Sequence, residues 1–188
     1  MPNKKSVKVI SSKREELSDR SKSKAPAVEY AKEKKPVSGF PIVGIGASAG
    51  GLEALELFFT HMPPEAGIAF VIIQHLDPKH KSIMDDLLKR YTTMRILQVT
   101  DGMKLEPNSV YLNQPDKDVG IFNGKFQLTD PVETHRVRLT INHFFRSLAE
   151  DQHENAICII LSGSGSDGTL GMKEIKGSGG MVMVQNPE

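Results

Sequence analysis

One cysteine, no tryptophan and three tyrosines among 188 residues leave this chain without a disulfide framework and with few aromatic groups. A lone thiol closes no internal bridge. Cys158 lies inside the apolar run Ala156 to Leu161, which reads as a buried structural thiol and a poor nucleophile. Long hydrophobic stretches are lacking too: none approaches the roughly 18 residues of a membrane span, and the basic N-terminus has no apolar core of a signal peptide. A cytoplasmic location is the default expectation. There is no G-x-x-x-x-G-K-[ST] phosphate loop, no H-E-x-x-H zinc motif and no internal repeat.

What is present is unevenly distributed. Hydrophobic residues make up 38% and charged residues 25%, enough apolar material for one ordinary core. The net charge of +1 hides a division: residues 1–38 carry 11 Lys and Arg against 5 Asp and Glu, leaving 13 against 18 in the rest. The first segment is rich in Lys, Ser and Glu, shows no sustained period, and reads as a disordered basic arm. Lys4, Lys5, Lys8, Lys13 and Arg14 suit nucleic acid or an anionic surface, but a solubilising tail is the better reading, and a nucleic-acid partner is not expected. Residues 39–188 form the domain.

That domain alternates apolar runs with amphipathic segments. Phe40 to Ile45 reads as a short buried strand, and Leu52, Leu55, Phe58, Phe59 and Met62 recur at the spacing of one helix face. Ile68 to Ile73 is a near-continuous apolar run ending at Gln74-His75, the mark of a strand buried on both faces. A helix over Ser82 to Tyr91 and strands at Arg95 to Val99 and Ser109 to Leu112 follow. Asn123-Gly124 between Val119–Phe122 and Lys125–Leu128 is a hairpin signal. A helix from Thr140 to Glu150, a strand at Ala156 to Leu161, a helix over Thr169 to Lys176 and a last run at Met181 to Val184 complete the pattern. It predicts a three-layer α/β fold, a mostly parallel sheet with helices on both faces and a β-hairpin insertion.

The turn after the first strand admits three readings. Gly46-Ala47-Ser48-Ala49-Gly50 fits the G-x-S-x-G elbow, which lifts a serine hydroxyl above the sheet edge. Gly44-x-Gly46-x-x-Ala49 fits the dinucleotide fingerprint. Ser48 as a mere helix N-cap is the third. Ligands of parallel sheets bind at the carboxyl ends of strands, and three exits here carry Ser48, His75 and Asp167. A serine, an imidazole and a carboxylate are what nucleophilic catalysis needs: a base to take the hydroxyl proton and a third group to hold the base in the right tautomer. His75 as a satisfied strand end and Asp167 as a helix cap are the plainer alternatives. The dinucleotide reading wants an acidic residue ending the second strand, where Gln74-His75 stands. A metal site at His75-x-Asp77-x-x-His80 lacks a third strong ligand, so neither metal nor cofactor is expected. The order Ser48, His75, Asp167 also differs from the Ser, Asp, His order of ordinary α/β-hydrolases.

Taken together, Val43-Gly44-Ile45-Gly46-Ala47-Ser48-Ala49-Gly50-Gly51-Leu52, Val71-Ile72-Ile73-Gln74-His75, Val110-Tyr111-Leu112, Phe144-Phe145-Arg146-Ser147-Leu148-Ala149 and Leu161-Ser162-Gly163-Ser164-Gly165-Ser166-Asp167-Gly168 resemble the chemotaxis receptor protein-glutamate methylesterases of the CheB type. His75 to Ser82 is most similar to the branch joined to a receptor methyltransferase. The resemblance implies hydrolysis of glutamyl methyl esters on receptor cytoplasmic helices, with a related deamidation of glutamine. It assigns the nucleophile to Ser48, the base to His75 and the orienting carboxylate to Asp167, with a receptor methyltransferase as a further partner. Backbone N–H groups of His75 or Ala49, and of the loop near Ser164, are the oxyanion-hole candidates. Ala49, Asn113-Gln114-Pro115 and Asn142 depart from the family pattern, and residues 1–39 are not expected to form a receiver domain. The family also continues past the position of Glu188, so exposed apolar surface is expected on the last elements. A non-catalytic receptor- or partner-binding lobe and a dinucleotide-binding domain are the rival readings.

Overall fold

A computed structural model describes residues 38–47, 51–75, 84–131, 138–161 and 166–186. The chain runs β1 (Ile42–Ala47), α1 (Leu52–His61), β2 (Ala69–Gln74), α2 (Met84–Leu88), β3 (Arg95–Gln98), β4 (Ser109–Leu112), β5 (Asp118–Phe122), β6 (Lys125–Thr129), α3 (Thr140–Gln152), β7 (Ala156–Ile160), α4 (Thr169–Gly177) and β8 (Met181–Val184). Six strands form one sheet in the order β3-β4-β2-β1-β7-β8. All its neighbouring pairs are parallel. β5 and β6 make a separate antiparallel hairpin.

The apolar strands have a simple cause. Side chains alternate across a sheet, and both faces are covered. Along β1 and β2, Ile42, Ala69, Val71 and Ile73 face a core built with Phe144, Phe145 and Leu148 of α3 and Ile175 of α4. Val43, Ile45, Phe70 and Ile72 face Leu55 and Phe59 of α1 and Met84 and Leu88 of α2. The sheet is thus the middle of three layers. β3 and β8 are its edges, and Met181, Met183 and Val184 are exposed on β8.

Element boundaries move little from the sequence reading. β1 starts two residues late, after Pro41, which has no N–H for a ladder. α2 ends at Leu88 because Arg90 and Tyr91 donate to carbonyls three residues back, those of Leu87 and Leu88, which tightens the last turn. Its expected first residues, Ser82 and Ile83, lie outside the described residues, as does the arm up to Val37. Ser38 is already fastened to the domain: its N–H donates to Gln152 Oε1 at 3.2 Å, and Asn155 Nδ2 donates to its carbonyl.

The hairpin turns on Asn123 and Gly124, both with positive φ, as a tight two-residue turn requires. It is pinned to α3 by side chains. Ser147 Oγ accepts the N–H of Ile121, while Asp151, almost fully buried, accepts those of Asn123 and Gly124 at 2.5 and 3.0 Å. Asp151→Ala strands two turn amides and should lower stability by about 1–2 kcal/mol in urea titration. A change under about 0.5 kcal/mol would mean that the turn stands without the carboxylate.

Candidate active site

β2 ends at the carboxyl edge of the sheet, and His75 is the next residue. Its imidazole side chain is 42% exposed, and Nε2 lies 2.9 Å from Oδ2 of Asp167, whose side chain is only 6% exposed. Asp167 comes from the far side of the domain in sequence, in the turn between β7 and α4. The pair joins the two halves of the sheet across β1.

The carboxylate is held by the backbone around it. Oδ2 also accepts the N–H of Ile141 at 3.0 Å, while Oδ1 accepts those of Asn142 and Gly168 at 2.9 and 2.8 Å. Ile141 and Asn142 lie in the first turn of α3, where helical N–H groups have no partner within the helix. Asp167 is therefore a cap, but of α3 rather than of the helix that follows it in the chain. α4 starts from Gly168 with no side-chain cap. Gly168 has φ +97°, and a Cβ there would lie 2.6 Å from Ile160 and 3.1 Å from Ile141. A larger residue would push the Asp167 turn off α3.

Asn142, also buried, accepts the N–H of Gly171 at 2.8 Å and so ties the starts of α3 and α4 together. On the other side of His75, buried Asn113 holds Gln74. Neither asparagine belongs to the set chosen from sequence, although both sit where the chain departs from the family pattern.

The register brings the remaining candidate into view. Ala47 is the Cα partner of Gln74, so the residues that follow the two paired strand ends are Ser48 and His75. Ser48 itself, Ala49 and the loop 162–165 lie outside the described residues, as do Asp77 and His80. The N-cap of α1 is Gly51, which takes that role away from Ser48. Gly44 and Gly46 have a packing role: a Cβ on Gly44 would lie 2.8 Å from Phe144 and 2.9 Å from Phe145, and one on Gly46 would lie 2.7 Å from Ile141. These glycines let α3 press onto β1. The buried Cys158 thiol is pushed up to about 12 by burial and takes no part at the edge.

Chemically, a histidine whose Nε2–H is given to a carboxylate keeps Nδ1 as its remaining acceptor. Fold and site together define a doubly covered parallel α/β domain with a histidine–carboxylate couple at its carboxyl edge. The family described as CheB methylesterase matches residues 43–188, and the chain belongs to that family. It is 31% identical over 174 residues to protein-glutamate methylesterase/protein-glutamine glutaminase 1 of Xanthomonas euvesicatoria, covering 86% of this chain and 48% of that one. A putative protein-glutamate methylesterase/protein-glutamine glutaminase of Leptospira interrogans is 28% identical over 149 residues, covering 79% of this chain and 77% of that protein. The crystal structure of the Thermotoga maritima CheB methylesterase catalytic domain superposes with a TM-score of 0.74 at 28% identity, covering 80% of this chain and 82% of that one. The chain spans about half the length of the Xanthomonas relative.

Proposed function

We propose that this chain is a serine esterase that removes methyl groups from glutamyl esters on chemotaxis receptor helices. The observation that carries the reading is the hydrogen bond between His75 and Asp167 at the strand exit paired with that of Ser48. In the mechanism, Ser48 Oγ attacks the ester carbonyl while Nδ1 of His75 takes its proton. The imidazolium returns that proton to the departing methoxide, and methanol leaves. Water then attacks the glutamyl-enzyme by the same path, with His75 again as base, to give glutamate and free Ser48. Asp167 fixes the tautomer that leaves Nδ1 open throughout. A glutamine side chain follows the same course with ammonia as the leaving group, which supports a second, deamidating activity.

The names borne by the relatives support this substrate class, and residues 39–188 are the catalytic domain in this reading, with 1–38 as an arm. The substrate places the protein in the cytoplasm. Among the described residues no helix is long and apolar enough to cross a membrane. The likeness of residues 75–82 to the methyltransferase-joined branch makes a receptor methyltransferase its companion.

The test is methanol release from methyl-esterified receptor helices, before and after treatment with a phosphonofluoridate. Expected are release by the untreated chain, its loss on treatment, and a single phosphonyl adduct mapped to Ser48 by mass spectrometry. A folded chain that binds the helices but releases no methanol and takes up no phosphonate would instead be a binding lobe.

A further inference from the structure

We infer that Asn113 is a positioning residue for His75, a role that rests on the esterase reading above. β2 and β4 pair in parallel as far as Ile72 and Leu112, and the N–H of Asn113 makes the next ladder bond to Ile72 O at 3.3 Å. Beyond that the main chain of β4 turns away through Gln114 to Pro115, which has no N–H to continue the ladder. Gln74, the last residue before the catalytic histidine, loses its strand partner at this point.

The side chain of Asn113 takes the strand's place. Its Oδ1 accepts the N–H of Gln74 at 3.1 Å, and its Nδ2 donates to the carbonyl of Gln74 at 2.9 Å. A primary amide presents the same acceptor and donor as a peptide unit, so the side chain extends the ladder by one residue. Asn113 is 6% exposed, so little water is available to replace either bond. On its other flank Gln74 is held by β1 through Ala47. The main chain is thus gripped from both sides at the residue that launches His75.

The consequence concerns angle more than stability. The imidazole is 42% exposed on its side chain, and among the described residues its side-chain partner is Asp167. Its direction therefore depends on the backbone from which it leaves. A tilt at Gln74 moves Nε2 off the fixed carboxylate and Nδ1 off the line to the serine. A displacement near 1 Å in a catalytic group costs up to about 100-fold in rate. Asn113 touches no substrate in this account and acts through His75.

The test compares Asn113→Ala, Asn113→Asp and Gln114→Ala. Asn113→Asp fills the same volume and keeps the acceptor for Gln74 N–H, but sets an oxygen against Gln74 O. Gln114→Ala removes the neighbouring bond from Gln114 Nε2 to Val99 O, 2.7 Å long, and leaves Gln74 alone. Two readouts are needed: kcat and KM for ester hydrolysis, and the downfield proton NMR signal of the His75 Nε2–H held by Asp167. Both Asn113 variants should lower kcat about 10- to 100-fold with KM within about twofold, and should broaden or lose the downfield signal. Gln114→Ala should change neither. Asn113 variants with the signal and kcat intact would overturn the role, and so would a parent chain that lacks the signal. If the parent hydrolyses no ester, the esterase reading fails, but loss of the signal in folded Asn113→Asp still supports the clamp and its persistence still overturns it.

Discussion

Asp167→Asn should reduce ester turnover by about 10⁴ and destabilise the domain by about 1–2 kcal/mol. Both effects come from the donor count at the carboxylate. Oδ1 receives the N–H groups of Asn142 and Gly168, and Oδ2 receives that of Ile141 together with His75 Nε2. An amide nitrogen placed at either position meets two donors. Facing α3, it leaves helix N–H groups uncapped. Facing His75, it forces the ring into the tautomer with Nδ1 protonated, which removes the base. Ser48→Ala separates the two effects, because the N-cap position of α1 is held by Gly51. That variant should lose turnover with its melting temperature unchanged. Asp167→Asn with turnover within tenfold of the parent would exclude the carboxylate from the mechanism.

Gly46→Val should cost about 3 kcal/mol or more, the upper end of core overpacking. A Cβ at this position would lie 2.7 Å from Ile141 and 2.8 Å from Ile160, and valine adds two methyl groups to that crowding. Ile141 also gives its N–H to Asp167, so pushing α3 outward drags the carboxylate's donors with it. Stability and esterase activity should fall together. Gly44→Ala crowds the middle of α3, against Phe144, Phe145 and Leu148, and should affect stability alone. Urea unfolding within about 0.5 kcal/mol of the parent for Gly46→Val would show that α3 has room to retreat.

The layers were readable because strands buried on both faces give continuous apolar runs, as Ala69 to Ile73 and Ala156 to Leu161 do. His75 and Asp167 were readable because each lies in the exit that follows such a run, and the structure brings them within hydrogen-bond distance. The bonds that hold them were not. Asp167 caps a helix that begins 27 positions earlier in the sequence, and Asn113 completes the ladder of a strand 39 positions away. Periodicity reports which face of an element is apolar, but carries no record of a side chain that bonds to the backbone of a distant segment. Asn113 and Asn142 showed only as departures from a family pattern, and Asp151 lay just past the helix expected over Thr140 to Glu150. The Gly44 and Gly46 spacing was ambiguous for a related reason: close helix approach and close phosphate approach both call for the missing Cβ.

The position of β1 between β2 and β7 also governs how the domain comes into being. A nascent chain that has emerged as far as residue 138 holds β1, β2, β3 and β4, but has neither β7 nor α3. Ile42, Val71, Ile73 and Tyr111 then lack Phe144, Phe145 and Leu148, the side chains that later cover their face. At translation speeds of about 5–20 residues per second that half-covered sheet persists for seconds. The histidine waits through that interval, since the carboxylate bonded to it lies 92 positions further along the chain.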